Sequence, residues 1–147
     1  MPDRPKTVVD ALLDDLQQLG VLIDQHGPTP FLVRVYARTI FSVFDGYAYF
    51  LKQNAVKRAE AEGVSLSKDE LEMIYERRGG DPARGGKPKT VSTAENLRFA
   101  MKLWARVNGG EAPPRDAQLP PEFERIRVLR NAITHPKRIE DFDVFPY

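Results

Sequence analysis

Residues 30–62 constrain the fold more than any other part of the chain. Between Pro30 and Gly63 there is no further proline and one glycine, Gly46. Val33, Ala37, Ile40, Phe44, Ala48, Leu51 and Ala55 recur at helical spacing. Tyr36, Phe41, Val43, Tyr47 and Phe50 widen that apolar face. A helix apolar over much of its circumference is buried on more than one side. The pattern therefore predicts one long helix, placed at the centre of a bundle or between a bundle and a second subunit.

The flanking segments are also helical in pattern. Thr7 is a candidate cap for a first helix to about Gln25, with Val9, Leu12, Leu13, Leu16, Leu19 and Val21 to Ile23 apolar. Gly27-Pro28-Thr29-Pro30 reads as a stop followed by a new start, with Thr29 as cap and Pro30 in the first helical position. Ser67 and Glu70 fit a capping box opening a short helix over 67–77. Residues 78–91 lack apolar periodicity and read as a mobile basic loop. Ser92 or Thr93 starts another helix to about Val107, with Leu97, Met101 and Trp104 at core spacing. Asn108-Gly109-Gly110 stops it. Pro120-Pro121 opens a last helix that Pro136 ends. The tail 137–147 alternates weakly, as an extended arm would. The expected fold is all-α, a single domain of four to five helices over 1–147 with its core at about 8–136.

Composition narrows the chemistry. The chain has 147 residues, a one-domain length that supports a core without disulfides or metals. It has no cysteine, which excludes thiolate metal sites, disulfides and a thiol nucleophile. With two histidines, His26 and His135, a three-histidine metal site is excluded as well. No apolar run approaches the ~20 residues of a membrane helix. Residues 1–10 lack the apolar segment of a signal peptide, so a cytoplasmic protein is expected.

The net charge of +1 hides an asymmetry. Residues 1–76 carry eight basic and twelve acidic side chains, residues 77–138 fourteen and six, and 139–147 three acidic ones. The basic stretch hints at a polyanion partner, though scattered solvated charge explains it equally well. The glycines at 80–86 are not a phosphate-cradling loop. Gly85 is followed by Gly86 rather than Lys, and Pro88 follows Lys87 where a hydroxyl is needed. Arg77, Arg78, Arg84, Lys87 and Lys89 leave the loop an electrostatic contact with RNA. His26 at a helix end suits the helix dipole and needs no other role.

The last helix is the most informative segment. At 100° per residue, Phe123, Ile126, Leu129 and Ile133 form its core face. Arg130, Thr134, Arg127, Asn131 and His135 then occupy an arc of roughly 140° on the polar side. None of the five is acidic. Arginine grips phosphate oxygens in a fork, and histidine moves protons near neutral pH. The arc suits a phosphodiester site; the plainer alternative is a solvated face ending in a histidine.

The run Arg130-Asn131-Ala132-Ile133-Thr134-His135, ending in Pro136-Lys137, resembles the Arg-x(4–6)-His motif of HEPN domains. Its place at the end of the last helix of a helical chain fits that resemblance. Residues 78–91 and the tail after Pro136 have no counterpart in it. The resemblance implies a small helical bundle, dimeric, with two motifs meeting in one composite site. It implies a metal-independent endoribonuclease that needs no cofactor. By that analogy His135 handles the proton of the 2′-hydroxyl or leaving group, Arg130 holds the scissile phosphate, and Asn131 orients His135. Arg127 and Thr134 would support the RNA.

Asp45 interrupts a nearly apolar run, where an unpaired charge is costly. Some HEPN families place an acid near the motif arginine. Asp45 therefore pairs with Arg130 or Arg127, lies simply exposed, or takes a direct part in catalysis. The leading expectation is a toxin or phage-defence ribonuclease, homodimeric, with RNA as substrate and a nucleotidyltransferase-like antitoxin as partner. The alternatives are a non-catalytic HEPN module binding nucleotide, RNA or protein, and a helical dimerisation protein whose motif is coincidental.

Overall fold

The computed structural model describes residues 7–79 and 86–110, together with Arg125, Arg127, Val128 and Asn131. Among the described residues four helices are delimited, in order α1 (Val8–His26), α2 (Pro30–Glu62), α3 (Lys68–Tyr75) and α4 (Thr93–Val107). Among the described residues the only extended pairing is an isolated antiparallel bridge between Arg77 and Pro88. No helix among them is long and apolar enough to cross a membrane.

The helix starts are chemically explicit. Thr7, Ser67 and Ser92 each accept the backbone N–H three residues on, and Asp10, Glu70 and Glu95 return the bond to the cap's own N–H. Thr29 Oγ1 accepts from the N–H of Leu32 at 3.3 Å, so Thr29 caps α2 and Pro30 opens it. The stops are equally local. Gly63 has φ +66°, a left-handed turn that costs glycine nothing, and it ends α2. α3 ends at Tyr75, two residues before the limit expected from sequence, because Glu76 turns left-handed at φ 52°.

The chain divides into two compact units, residues 1–43 with 118–147 and residues 44–117. The boundary falls within α2. In the first unit, Ala37 and Phe41 are buried on α2. Val9, Leu12, Leu16, Leu19 and Ile23 form a half-buried stripe on α1, stepping by three and four, while Leu13, Val21 and Leu22 are exposed.

The second unit holds two core clusters. One joins Ala55 and Ala59 of α2 with Ile74 of α3 and with Leu103 and Val107 of α4. The other joins Ala48 and Leu51 of α2 with Leu97 and Ala100 of α4. The seam between α2 and α4 is lined by alanines: Ala48, Ala55, Ala59 and Ala100.

That seam corrects two expectations. Met101 and Trp104 are not core residues: they are 42% and 43% exposed, and α4 buries Leu97, Ala100, Leu103 and Val107 instead. α4 is turned so that Ala100 and Leu103 face the alanines of α2, which leaves Met101 and Trp104 on its other side. Tyr47 and Phe50 do not extend the buried face either; both are exposed, as is Tyr49. Arg106 of α4 ties α3 in place, with its guanidinium 2.7 and 2.8 Å from the two Glu70 carboxylate oxygens.

Candidate functional site

Of the six residues assigned to a site from sequence, Arg130, Thr134 and His135 lie outside the described residues. Asn131 has helical backbone and is exposed. Arg125 and Val128 are also helical and exposed, and Arg127 is helical and half-buried. At 100° per residue, Asn131, Val128 and Arg125 fall at roughly 100°, 160° and 220° from position 130, on one side of the helical wheel. Arg127, at about 60°, is nearer the apolar stripe, in line with its partial burial. Asp45 is exposed on α2 and belongs to the unit 44–117, whereas Arg127 and Asn131 belong to the other.

The helical period of α2 also carries a buried charge at Lys52, whose pKa is displaced by its surroundings. Lys52 is 1% exposed, lying along α2 between the two core clusters. Its ammonium donates to Asn96 Oδ1 at 2.8 Å and to the Met73 carbonyl at 3.0 Å, and the Glu76 carboxylate is 3.9 Å away. Burial pushes its pKa below the usual lysine value; the charges of Glu76 and Asp45 oppose that shift. The Met73 carbonyl is one of the last four of α3, which no later helical N–H can reach. Lys52 therefore caps the C-terminus of α3 and meets its dipole. With those acceptors engaged, the ammonium is a structural tie among α2, α3 and α4. Its signal was in the sequence: Ala48, Lys52, Ala55 and Ala59 continue the core period through a lysine.

The basic loop is held at both ends. Arg78 N–H donates to the Lys87 carbonyl at 2.9 Å, and Lys89 N–H to the Glu76 carbonyl at 2.7 Å. The Arg77 guanidinium donates to the Gly86 carbonyl at 3.1 Å. Glu72 accepts the Gly79 N–H at 3.0 Å and lies 3.8 Å from the Lys89 ammonium. The Gly79 hydrogen bond, with Lys89, Lys68 and Arg78 nearby, holds the Glu72 carboxyl below its usual pKa. The mobile basic loop expected over 78–91 is thus tied at its ends by these bonds, and residues 80–85 lie outside the described residues. Two cations assigned to it, Arg77 and Lys89, are engaged within the protein; Arg78 and Lys87 are exposed. Arg84 lies outside the described residues.

A groove of about 500 Å³ runs along α2 and α4, lined by Phe50, Asn54, Lys57, Arg58, Trp104 and Asn108 among others. Helical spacing predicts core positions for Phe50 and Trp104, so the sequence pattern does not point to this groove. Among the described residues no three His, Asp or Glu side chains are grouped so as to hold a metal ion. Compared with family models, curated proteins and solved structures, the chain matches none.

Proposed function

We propose that the chain is a metal-independent endoribonuclease of HEPN type that acts as a toxin or phage-defence effector. The observation that carries this reading is the spacing of Arg130, Asn131 and His135 at the end of an all-helical chain. An exposed, helical Asn131 is compatible with it. In this scheme His135 takes the proton from the attacking 2′-hydroxyl or gives one to the leaving 5′-oxygen. Arg130 neutralises the charge that builds on the phosphate, and Asn131 orients the imidazole. Arg127 and Thr134 hold the flanking phosphates. The products are a 2′,3′-cyclic phosphate and a 5′-hydroxyl, so DNA is not a substrate.

Two motifs, one from each protomer of a symmetric dimer, would compose the site. The cationic side chains facing across it would repel one another until an anion bound, which favours RNA capture. A nucleotidyltransferase-like antitoxin is the partner this reading calls for. The test is cleavage of labelled tRNA and mRNA with and without EDTA, alongside light scattering. Cleavage that resists EDTA, by a dimer, supports the proposal. A monomer at micromolar concentration contradicts the composite site. Absence of cleavage of any RNA leaves the non-catalytic binding module as the reading.

A further inference from the structure

The groove on α2 and α4 has an unusual lining. Phe50 and Asn54 stand one helical turn apart on α2, and Asn108, the C-cap of α4, stands one turn beyond Trp104. Each asparagine donates its amide N–H to the carbonyl of the aromatic residue one turn back, Asn54 to Phe50 at 3.0 Å and Asn108 to Trp104 at 2.8 Å. Those bonds orient both amides. Phe50 and Trp104 are both 43% exposed, so each ring offers part of its surface to a ligand. One to two turns further along α2, Lys57 and Arg58 are exposed. Lys57 has no ion-pair partner among the described residues. Arg58 meets Glu62 at 3.1 Å in an exposed one-turn pair, which is cheap to open. Among the described residues no carboxylate lines the groove.

We infer that this groove binds a short stretch of single-stranded RNA, with bases against Trp104 and Phe50 and phosphates at Lys57 and Arg58. Stacking platforms beside cations are how single strands are held without sequence readout. A duplex keeps its bases stacked inside and offers no face to these rings. Charge argues against a second copy of the chain as occupant: a two-fold interface centred on this patch would set Lys57 and Arg58 against cations, and among the described residues no carboxylate in the groove answers them. The inference rests on the ribonuclease reading for the choice of RNA as ligand, yet it concerns binding and stands apart from cleavage.

Trp104 is the chain's only tryptophan, so its fluorescence reports the groove directly. The experiment titrates the full chain with a 2′-O-methyl oligouridylate, which cannot be cut by attack of a 2′-hydroxyl. Saturable quenching that weakens with added salt is expected. Lys57→Glu with Arg58→Glu, both at exposed positions, should weaken binding at least tenfold while leaving the far-UV circular dichroism unchanged. Trp104→Leu, followed by filter binding, should weaken it by roughly 5- to 150-fold, and Trp104→Phe should restore most of the affinity. Absence of quenching overturns the inference, as does quenching that the charge-reversed variant retains. A dimer that Trp104→Leu or the charge reversal converts to monomer also overturns it, because the groove is then an interface between copies. RNA cleavage with wild-type rate and affinity in these variants removes the groove and spares the ribonuclease; groove binding by a chain that cuts no RNA does the reverse.

Discussion

Replacing Lys52 with methionine should destabilise the protein by about 1–3 kcal/mol. Methionine keeps most of the lysine's length, so the change opens little cavity. It removes two hydrogen bonds from a charged donor, to the Asn96 amide oxygen and to the Met73 carbonyl. Bonds of this kind contribute about 1.5–3 kcal/mol each. Against this loss stands the relief of burying an ammonium, which costs several kcal/mol and is only partly offset by Glu76 at 3.9 Å. The bonds win narrowly because Asn96, itself buried, is left with an unpaired acceptor. Lys52→Met with Asn96→Leu should therefore recover about half of the loss, since only the Met73 carbonyl then lacks its partner.

Equilibrium urea unfolding, followed by circular dichroism, measures these differences. The pH dependence has a definite sign. Burial lowers the lysine's pKa in the folded state, so between that value and the ordinary 10.5 the unfolded chain binds more protons. Wild-type stability gains from this group as pH rises through that window, and its advantage over Lys52→Met widens. A Lys52→Met protein as stable as wild type at neutral pH, or an advantage that shrinks toward pH 10, would refute the role of Lys52 as a buried tie.

Other outcomes follow from the same packing. Leu103→Ala should cost about 2–5 kcal/mol, because the side chain sits in the cluster shared by α2, α3 and α4; a thermal melt shows this directly, and a loss under 0.5 kcal/mol would move Leu103 to the surface. Gly86→Ala should open the clasp at the base of the loop, because a Cβ there would collide with the Arg78 carbonyl oxygen. Amide exchange at Arg78 and Lys89 should then accelerate, and unchanged protection would show that the loop end yields without cost. Glu72 should titrate below the usual carboxylate range by NMR. The stability it contributes is present above its unfolded value, 4.5, and is lost as pH falls through the folded one; a midpoint at or above 4.5 would contradict the Gly79 and Lys89 contacts.

Helix limits were legible in the sequence because they are set locally. Thr7, Ser67 and Ser92 carry their acidic partners three residues on, and Gly63 marks the end of α2 without reference to the rest of the chain. Burial was less legible, because it depends on what faces what. On α4 two stripes were available, and the one with Met101 and Trp104 carried more apolar surface. The stripe with Ala100 and Leu103 was used because α2 presents alanines there. Lys52 was passed over for a similar reason: its cost is met by Asn96 and Met73, far away in sequence. Of the proposed site, the spacing of Arg130, Asn131 and His135 comes from the sequence alone, and of these only Asn131 lies among the described residues. The groove of Phe50 and Trp104 was hidden because large aromatics at helical spacing are taken for core.

The central claim is that Arg130 and His135 cut RNA without a metal. The most direct test incubates a labelled RNA, and a DNA of the same sequence, with wild type, His135→Ala and Arg130→Ala in the presence of EDTA. The account predicts cleavage of the RNA alone, with a 2′,3′-cyclic phosphate end, and a fall of about 10²–10⁴-fold or more in the His135→Ala protein. Cleavage by His135→Ala at the wild-type rate, or loss of wild-type cleavage in EDTA, would contradict it.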